Sequence, residues 1–289
     1  MTETPKLLAS CHTTAGNVSM PGGPFVSPFD LRDRAKAIVN AGYAGMGLYL
    51  DDLAHNLDLH GYDGVKAILS DAGIEFLELE VLADWFTDGE RRAASDRDRG
   101  LFLEAAEKLG AFQIKVIGDM IGDPASNEWP LDLLVESFAQ FTYEARDAGT
   151  RAVIEIYPAS NVRDLATAVA MAAAGHQDSG ILLDIWHLTR GNIPYEDIAT
   201  IPPELIKYIE LDDAKTDLVG TIQDDTMFRR ELPGDGDFDI PKFLSEVWKT
   251  GYDGLYGVEI LSDAQRARSV EDAARMSFDA TMSQFAAAK

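Results

Sequence analysis

The chain carries one cysteine, Cys11, among 289 residues. A lone thiol excludes an intramolecular disulfide and a thiolate cluster for zinc, and Cys11 itself reads as a small buried residue near a strand end. Positive charge is scarce: Lys+Arg 25 stand against Asp+Glu 49, a formal net charge of -24. Such a surface repels nucleic-acid backbones and anionic membranes, so neither is an expected partner and a small molecule is. No apolar run reaches the roughly 18 residues of a membrane span. The opening "MTETPKLLAS" lacks a basic stretch followed by an apolar one, so cytoplasm is the expected location. A Gly-rich phosphate loop is also missing, because "MPGGP" (20–24) does not have the GxGxxG spacing.

What is present is a rhythm. Runs with strand character recur at 6–13, 44–50, 74–81, 112–118, 151–158, 179–186, 206–213 and 253–261. Helical patterns lie between most of them, as at 30–42, 61–73, 99–110 and 133–149, and glycines at 42, 73, 110, 149 and 251 supply C-caps before the next strand. Eight strands alternating with helices predict a parallel sheet, and in this length a closed (β/α)₈ TIM barrel of the α/β class. With 46% apolar residues and no linker-like shift in composition, residues 1–289 are expected to form a single domain. An open doubly wound sheet is the alternative, disfavoured by the missing phosphate loop.

The C-terminal strand ends of such a barrel carry its chemistry. Here they hold Glu155 in "VIEIYP", Asp184 in "LLDIWH", Glu210 in "YIELDD" and Glu259 in "GVEIL". Four carboxylates converging on one mouth would raise one another's pKa steeply, and a divalent cation removes the conflict. Oxygen ligation suits Mn²⁺ or Mg²⁺ more than zinc. Any single acid can instead pair with Lys or Arg or sit in water, but four on consecutive strands make one metal ion the better reading. His187 follows Asp184 at i+3 and Arg190 follows His187 at i+3, so a turn after the strand brings all three toward the mouth; Arg190 equally suits a surface salt bridge.

These residues sit in the run "IEIYP…LLDIWHLTRGN…YIELDDA…RRELPGDGDFDI…GYDGLYGVEIL", which resembles the sugar phosphate isomerase/epimerase group of the xylose isomerase-like TIM barrels. That superfamily also includes ketose 3-epimerases, inosose and 3-dehydroshikimate dehydratases, and endonuclease IV type nucleases. The likeness carries specific motifs over roughly residues 150–262 and only the strand-helix rhythm before them. It implies that Glu155 and Glu259 are metal ligands and, as in the epimerases, the acid/base pair. It implies Asp184 on the metal and His187 on a water bound there or on substrate. It also implies that an Arg before the "PGDG" turn, Arg229 or Arg230, contacts substrate. At the seventh strand, where many members carry a His ligand and others a Gln, this chain has Glu210, with Asp212 and Asp213 close enough to share or replace the role.

The first half adds pocket candidates. His12 and Tyr49 end the first two expected strands, Glu80 ends the third and Lys115 lies in the fourth. Lys115 would polarise a carbonyl or bind a phosphate, or else pair with Glu80 or Glu155. Trp85, Phe86 and Trp186 follow strands and would either stack on the apolar face of a sugar or pack beneath loops.

The expected function is therefore a divalent-metal-dependent isomerase or epimerase that removes a proton alpha to a carbonyl of a carbohydrate or cyclic polyol. The alternative is a dehydratase of the inosose or 3-dehydroshikimate type on the same site, with His187 or Lys115 as acid; a non-catalytic sugar-binding barrel ranks below both. A nuclease is disfavoured by the charge and by too few histidines for a trinuclear zinc site. The composition leaves room for a homo-oligomer.

Overall fold

Eight parallel strands pair in chain order and close on themselves in a computed structural model that describes residues 4–18, 25–119 and 129–288. They are β1 (Leu7–Ala9), β2 (Gly45–Tyr49), β3 (Phe76–Leu82), β4 (Gln113–Val116), β5 (Ala152–Glu155), β6 (Gly180–Asp184), β7 (Ile206–Leu211) and β8 (Tyr256–Val258). The expected single (β/α)₈ barrel is the observed one. The "MPGGP" segment lies outside the described residues.

The helices are α1 (Cys11–Thr14), α2 (Leu31–Ala41), α3 (Leu50–Ala72), α4 (Gly89–Leu109), α5 (Leu131–Asp147) and α6 (Leu165–Ala174), followed by α7 (Ile185–Arg190), α8 (Ile222–Phe228), α9 (Ile240–Lys249), α10 (Asp263–Arg266) and α11 (Val270–Ala287). Gly42, Gly73 and Gly110 are left-handed C-caps as expected. The expected helix at 61–73 is the second half of α3, which breaks at Gly61 (φ 64°, ψ 172°). The first strand is shorter than the run 6–13. Past Ser10 the chain coils into α1, where the Cys11 amide donates to the Glu80 carboxylate at 2.8 Å, so His12 sits on that helix and not on the strand.

Alternation along each strand places the chemistry. Leu8, Val153, Leu182 and Tyr208 form a small cluster of their own, separate from the large apolar layer that includes their neighbours Leu7, Ala152, Ile181 and Ile209. The large layer seals strands against helices, and the small cluster fills the barrel. Side chains two positions further on point the same way. From those four residues, that step arrives at Ser10, Glu155, Asp184 and Glu210. On β1 and β5–β7 the interior is thus apolar below and polar or charged above, toward the C-terminal face, while on β3 and β4 the buried Glu78 accepts from Gln113 at 2.6 Å lower down. Small residues make the room: a Cβ on Gly47 would run into the Glu80 carboxylate, and one on Gly257 would meet Glu210 Cγ at 2.7 Å.

Candidate active site

The end of β6 shows how local structure aims the site. Asp184 is the N-cap of α7; its Oδ1 accepts from the amides of Trp186 (2.6 Å) and His187 (3.2 Å). That bond satisfies helix donors that would otherwise be orphaned. It also fixes the carboxylate, turning Oδ2 toward the barrel mouth. One helical turn carries the His187 ring back over the strand end. Its Nε2 lies 3.0 Å from Glu155 Oε1 and 3.7 Å from Asp184 Oδ2.

Glu155, Asp184, His187 and Glu259 are all buried, and each offers one ligand atom within 4.8 Å of the others. Three carboxylates and an imidazole are a donor set that suits a divalent cation. The imidazole widens the choice beyond the all-oxygen set expected from sequence, since nitrogen ligation is equally at home on zinc. Glu155 Oε1 accepts no hydrogen bond and His187 Nδ1 makes none. Buried polar atoms left so are costly unless a ligand completes them. The residues present therefore fit a bound divalent ion.

Two fixed cations share these acids. The Lys115 ammonium lies 2.7 Å from Glu210, 2.8 Å from Glu259 and 3.4 Å from Glu80. Arg230, fully buried, reaches Asp184 at 2.9 Å and Glu259 at 3.2 Å, bonds Asp212, and brings Nη2 to 3.2 Å from His187 Nε2. Thr226 Oγ1 accepts from the same Nη2 at 3.0 Å. Burial by itself would push the Glu259 carboxyl up, but Lys115 and Arg230 together hold it well below the usual carboxylate range. Burial wins at Glu210 and Asp212, raising both despite their cationic partners. The crowd of carboxylates outweighs burial at Lys115, whose proton is held more tightly than in water.

Glu210 does not join the four-residue group. It accepts from Ser10 Oγ and from Lys115, both at 2.7 Å. Of the two arginines before the "PGDG" turn, Arg230 enters the site. Arg229 is half-exposed and reaches Asp225 at 3.6 Å. Arg190 also ties to Asp225, with Nε at 2.8 Å, and to the carbonyls of Lys215 and Thr216, bracing a loop. Asp213 is spoken for as well: its carboxylate accepts from the amides of Ala214, Gly234 and Phe238 and shapes the turn.

His12 stands at the β1 side of the mouth, its ring 5.9 Å from that of Tyr49. Burial lowers its pKa to about 4, so it is neutral at pH 7. Trp186 is buried, near-parallel to Tyr157 at 6.3 Å, with the Arg230 guanidinium 5.1 Å from its ring. Trp85 and Phe86 pack in the core, Trp85 donating to the Ile117 carbonyl. Ser10 and Thr226 were missed by sequence reading, since short hydroxyl side chains carry no signal without their partners; the inward parity of Ser10 with Leu8 is the one clue.

The pattern of the family described as xylose isomerase-like TIM barrel matches residues 35–280. A 3-dehydroshikimate dehydratase of Pseudomonas aeruginosa is 27% identical over 250 residues, covering 82% of this chain and 37% of that protein. The chain therefore spans little more than a third of the length of that relative. Among solved structures, the IOLI protein with a bound zinc atom superimposes with a TM-score of 0.83 at 17% identity, covering 98% of this chain and 99% of that one. A D-psicose 3-epimerase from Clostridium cellulolyticum H10 superimposes with a TM-score of 0.69 at 13% identity, covering 98% and 99%. Among the described residues, no helix is long and apolar enough to cross a membrane.

Proposed function

The chain belongs to the xylose isomerase-like TIM barrel family, and on that premise we propose that it is a divalent-metal-dependent lyase. It removes a proton alpha to the carbonyl of a small hydroxylated ring compound and then expels a neighbouring hydroxyl as water. The observation that carries the first step is the buried group of Glu155, Asp184, His187 and Glu259. The carboxylates among these residues would hold a divalent ion, which would supply Lewis acidity to a substrate carbonyl and so acidify the adjacent C–H.

The chain's own residues divide the remaining work. Glu155, with an oxygen that accepts no hydrogen bond, is the base. Glu259 is held ionised by Lys115 and Arg230, which suits it to holding the metal better than to accepting a proton. Arg230 positions Asp184, His187 and Glu259 through direct contacts. His187, 3.0 Å from Glu155, is the acid for the leaving hydroxyl, the three carboxylates of Glu155, Asp184 and Glu259 being the residues that would hold the ion. Lys115 is a poor acid because its carboxylate neighbours hold its proton tightly.

Dehydration is preferred over the isomerisation expected from sequence because the curated relative carries a dehydratase name. Isomerisation or epimerisation of a sugar is the second reading, supported by the D-psicose 3-epimerase neighbour. Incubation with 3-dehydroshikimate and Mn²⁺ or Mg²⁺ in D₂O separates them. Dehydration aromatises the ring to 3,4-dihydroxybenzoate, which is followed by ultraviolet absorbance. Deuterium gained by a ketose panel without loss of water would instead make the protein an isomerase or epimerase.

A further inference from the structure

Arg266 lies on α10, which follows β8 on the C-terminal face of the barrel. Its side chain is 6% exposed, yet neither Nη1 nor Nη2 has a hydrogen-bond partner. The nearest carboxylate, Asp263, is largely exposed and 3.6 Å from Nη1. Burial lowers the Arg266 pKa, and Asp263 offsets that only in part. The other buried guanidiniums differ. Arg34, Arg99, Arg190 and Arg230 reach Asp52, Glu144, Asp225 and Asp184 at 2.6, 2.6, 2.8 and 2.9 Å.

The position is held by packing and hydrogen bonds. The Arg266 guanidinium lies over the Phe228 ring at 5.5 Å, at the end of the helix that leads into Arg230. Next to it, Gln265 ties α10 to α1 by donating to the Thr13 carbonyl at 2.7 Å. His12, on that same α1, feels the charges of Glu259, Lys115, Arg266 and Arg230 together. Arg266 thus lies on the β8–β1 side of the C-terminal face, near His12, and its own nearest carboxylate is Asp263 and not a member of the four-residue group. A guanidinium stripped of water without an acceptor is unfavourable on its own, and two parallel N–H groups match one oxyanion.

We infer that Arg266 anchors an oxyanion of the substrate, a carboxylate on the hydroxy-carbonyl compound. The inference rests on the proposed site chemistry for where the rest of the substrate lies. A carboxylate fits better than a phosphate ester because one guanidinium offers one positive charge in a planar fork, and the surrounding mouth is already rich in acids.

The test compares two ligands of the same shape, 3,4-dihydroxybenzoate and 3,4-dihydroxybenzamide, by calorimetry on the Mn²⁺-loaded protein. The parent binds the acid at least tenfold tighter than the amide. Arg266→Gln loses that preference while amide binding stays unchanged, and Arg266→Lys, which keeps the charge but not the fork, retains a reduced preference. Inorganic phosphate binding tighter than the acid, and only with Arg266 present, would keep the anchor but assign it to a phosphate ester. Equal affinity of the parent for acid and amide, failure of both to bind, or an acid preference surviving in Arg266→Gln each overturns the anchor. Failure of the lyase reading shows differently: the acid preference then persists in the parent while no substrate exchanges deuterium or loses water.

Discussion

Lys115 Nζ lies 2.7 Å from Glu210 Oε1, and both side chains are sealed from solvent. A buried pair is costly to break, because the surviving partner keeps its desolvation penalty without its counter-charge. Lys115→Met is expected to cost about 3–5 kcal/mol in urea unfolding. Adding Glu210→Gln should restore part of the loss, since an uncharged amide at that position no longer needs a cation. A Lys115→Met protein as stable as the parent would remove the pair from the stability of the barrel.

Metal binding should separate Glu210 from the four-residue group. Chelator-treated protein is expected to gain thermal stability on adding Mn²⁺, Mg²⁺ or Zn²⁺, with one ion per chain by elemental analysis. Glu155→Gln and Asp184→Asn should weaken binding by tenfold or more, while Glu210→Gln changes it little because Glu210 is bound to Lys115 and Ser10. If Glu210→Gln loses the ion as fully as Glu155→Gln does, Glu210 returns to the ligand set that the family's seventh-strand position implies.

Loss of the proton-transfer group should show in the chemistry more than in folding. Glu155→Gln is expected to slow solvent exchange at the carbon beside the carbonyl by roughly 10²–10⁴-fold, the usual contribution of a positioned base. His187→Gln should still allow exchange but slow the loss of water. Exchange at the parent rate in Glu155→Gln would assign the base elsewhere.

The pH dependence has a defined sign at His12. Its folded pKa is lowered from 6.5 to about 4 by burial. Below pH 6.5 the unfolded chain takes up a proton that the folded ring refuses. The contribution of His12 to stability is therefore complete above pH 6.5 and is lost as pH falls toward 4. The ring resonances of His12 should titrate near 4 by NMR. His12→Asn should flatten the fall in stability across that interval, and a midpoint near 6.5 would contradict the buried neutral ring.

The legibility of the site follows from parity. Glu155, Asp184 and Glu210 each stand two residues beyond an apolar residue that fills the barrel, so a strand pattern of period 2 already points them inward. The Asp184–His187 spacing was equally readable, because an Asp at a strand end followed by a helical turn is an N-cap with its i+3 neighbour folded back over it. Expected strand lengths ran long at 6–13 and 253–261, since β propensity in "CHT" and "EIL" says nothing of where barrel closure ends.

Composition, strand-helix alternation and the acids at strand ends were determined by local sequence, because each depends on residues within one or two turns of one another. The partition of charge was not. That Lys115 crosses the barrel to Glu210 and Glu259, that Arg230 and not Arg229 enters the acid cluster, and that Arg266 is buried without an acceptor are contacts between distant segments. In "RRELPGDG" the two arginines are adjacent and chemically the same; only the direction in which the chain leaves α8, with the Arg230 amide bonded to the Leu261 carbonyl, turns one inward and the other toward water. Likewise the partner of Arg266 in "DAQRAR" comes from a distant segment, its guanidinium lying over the Phe228 ring once β8 has closed onto β1.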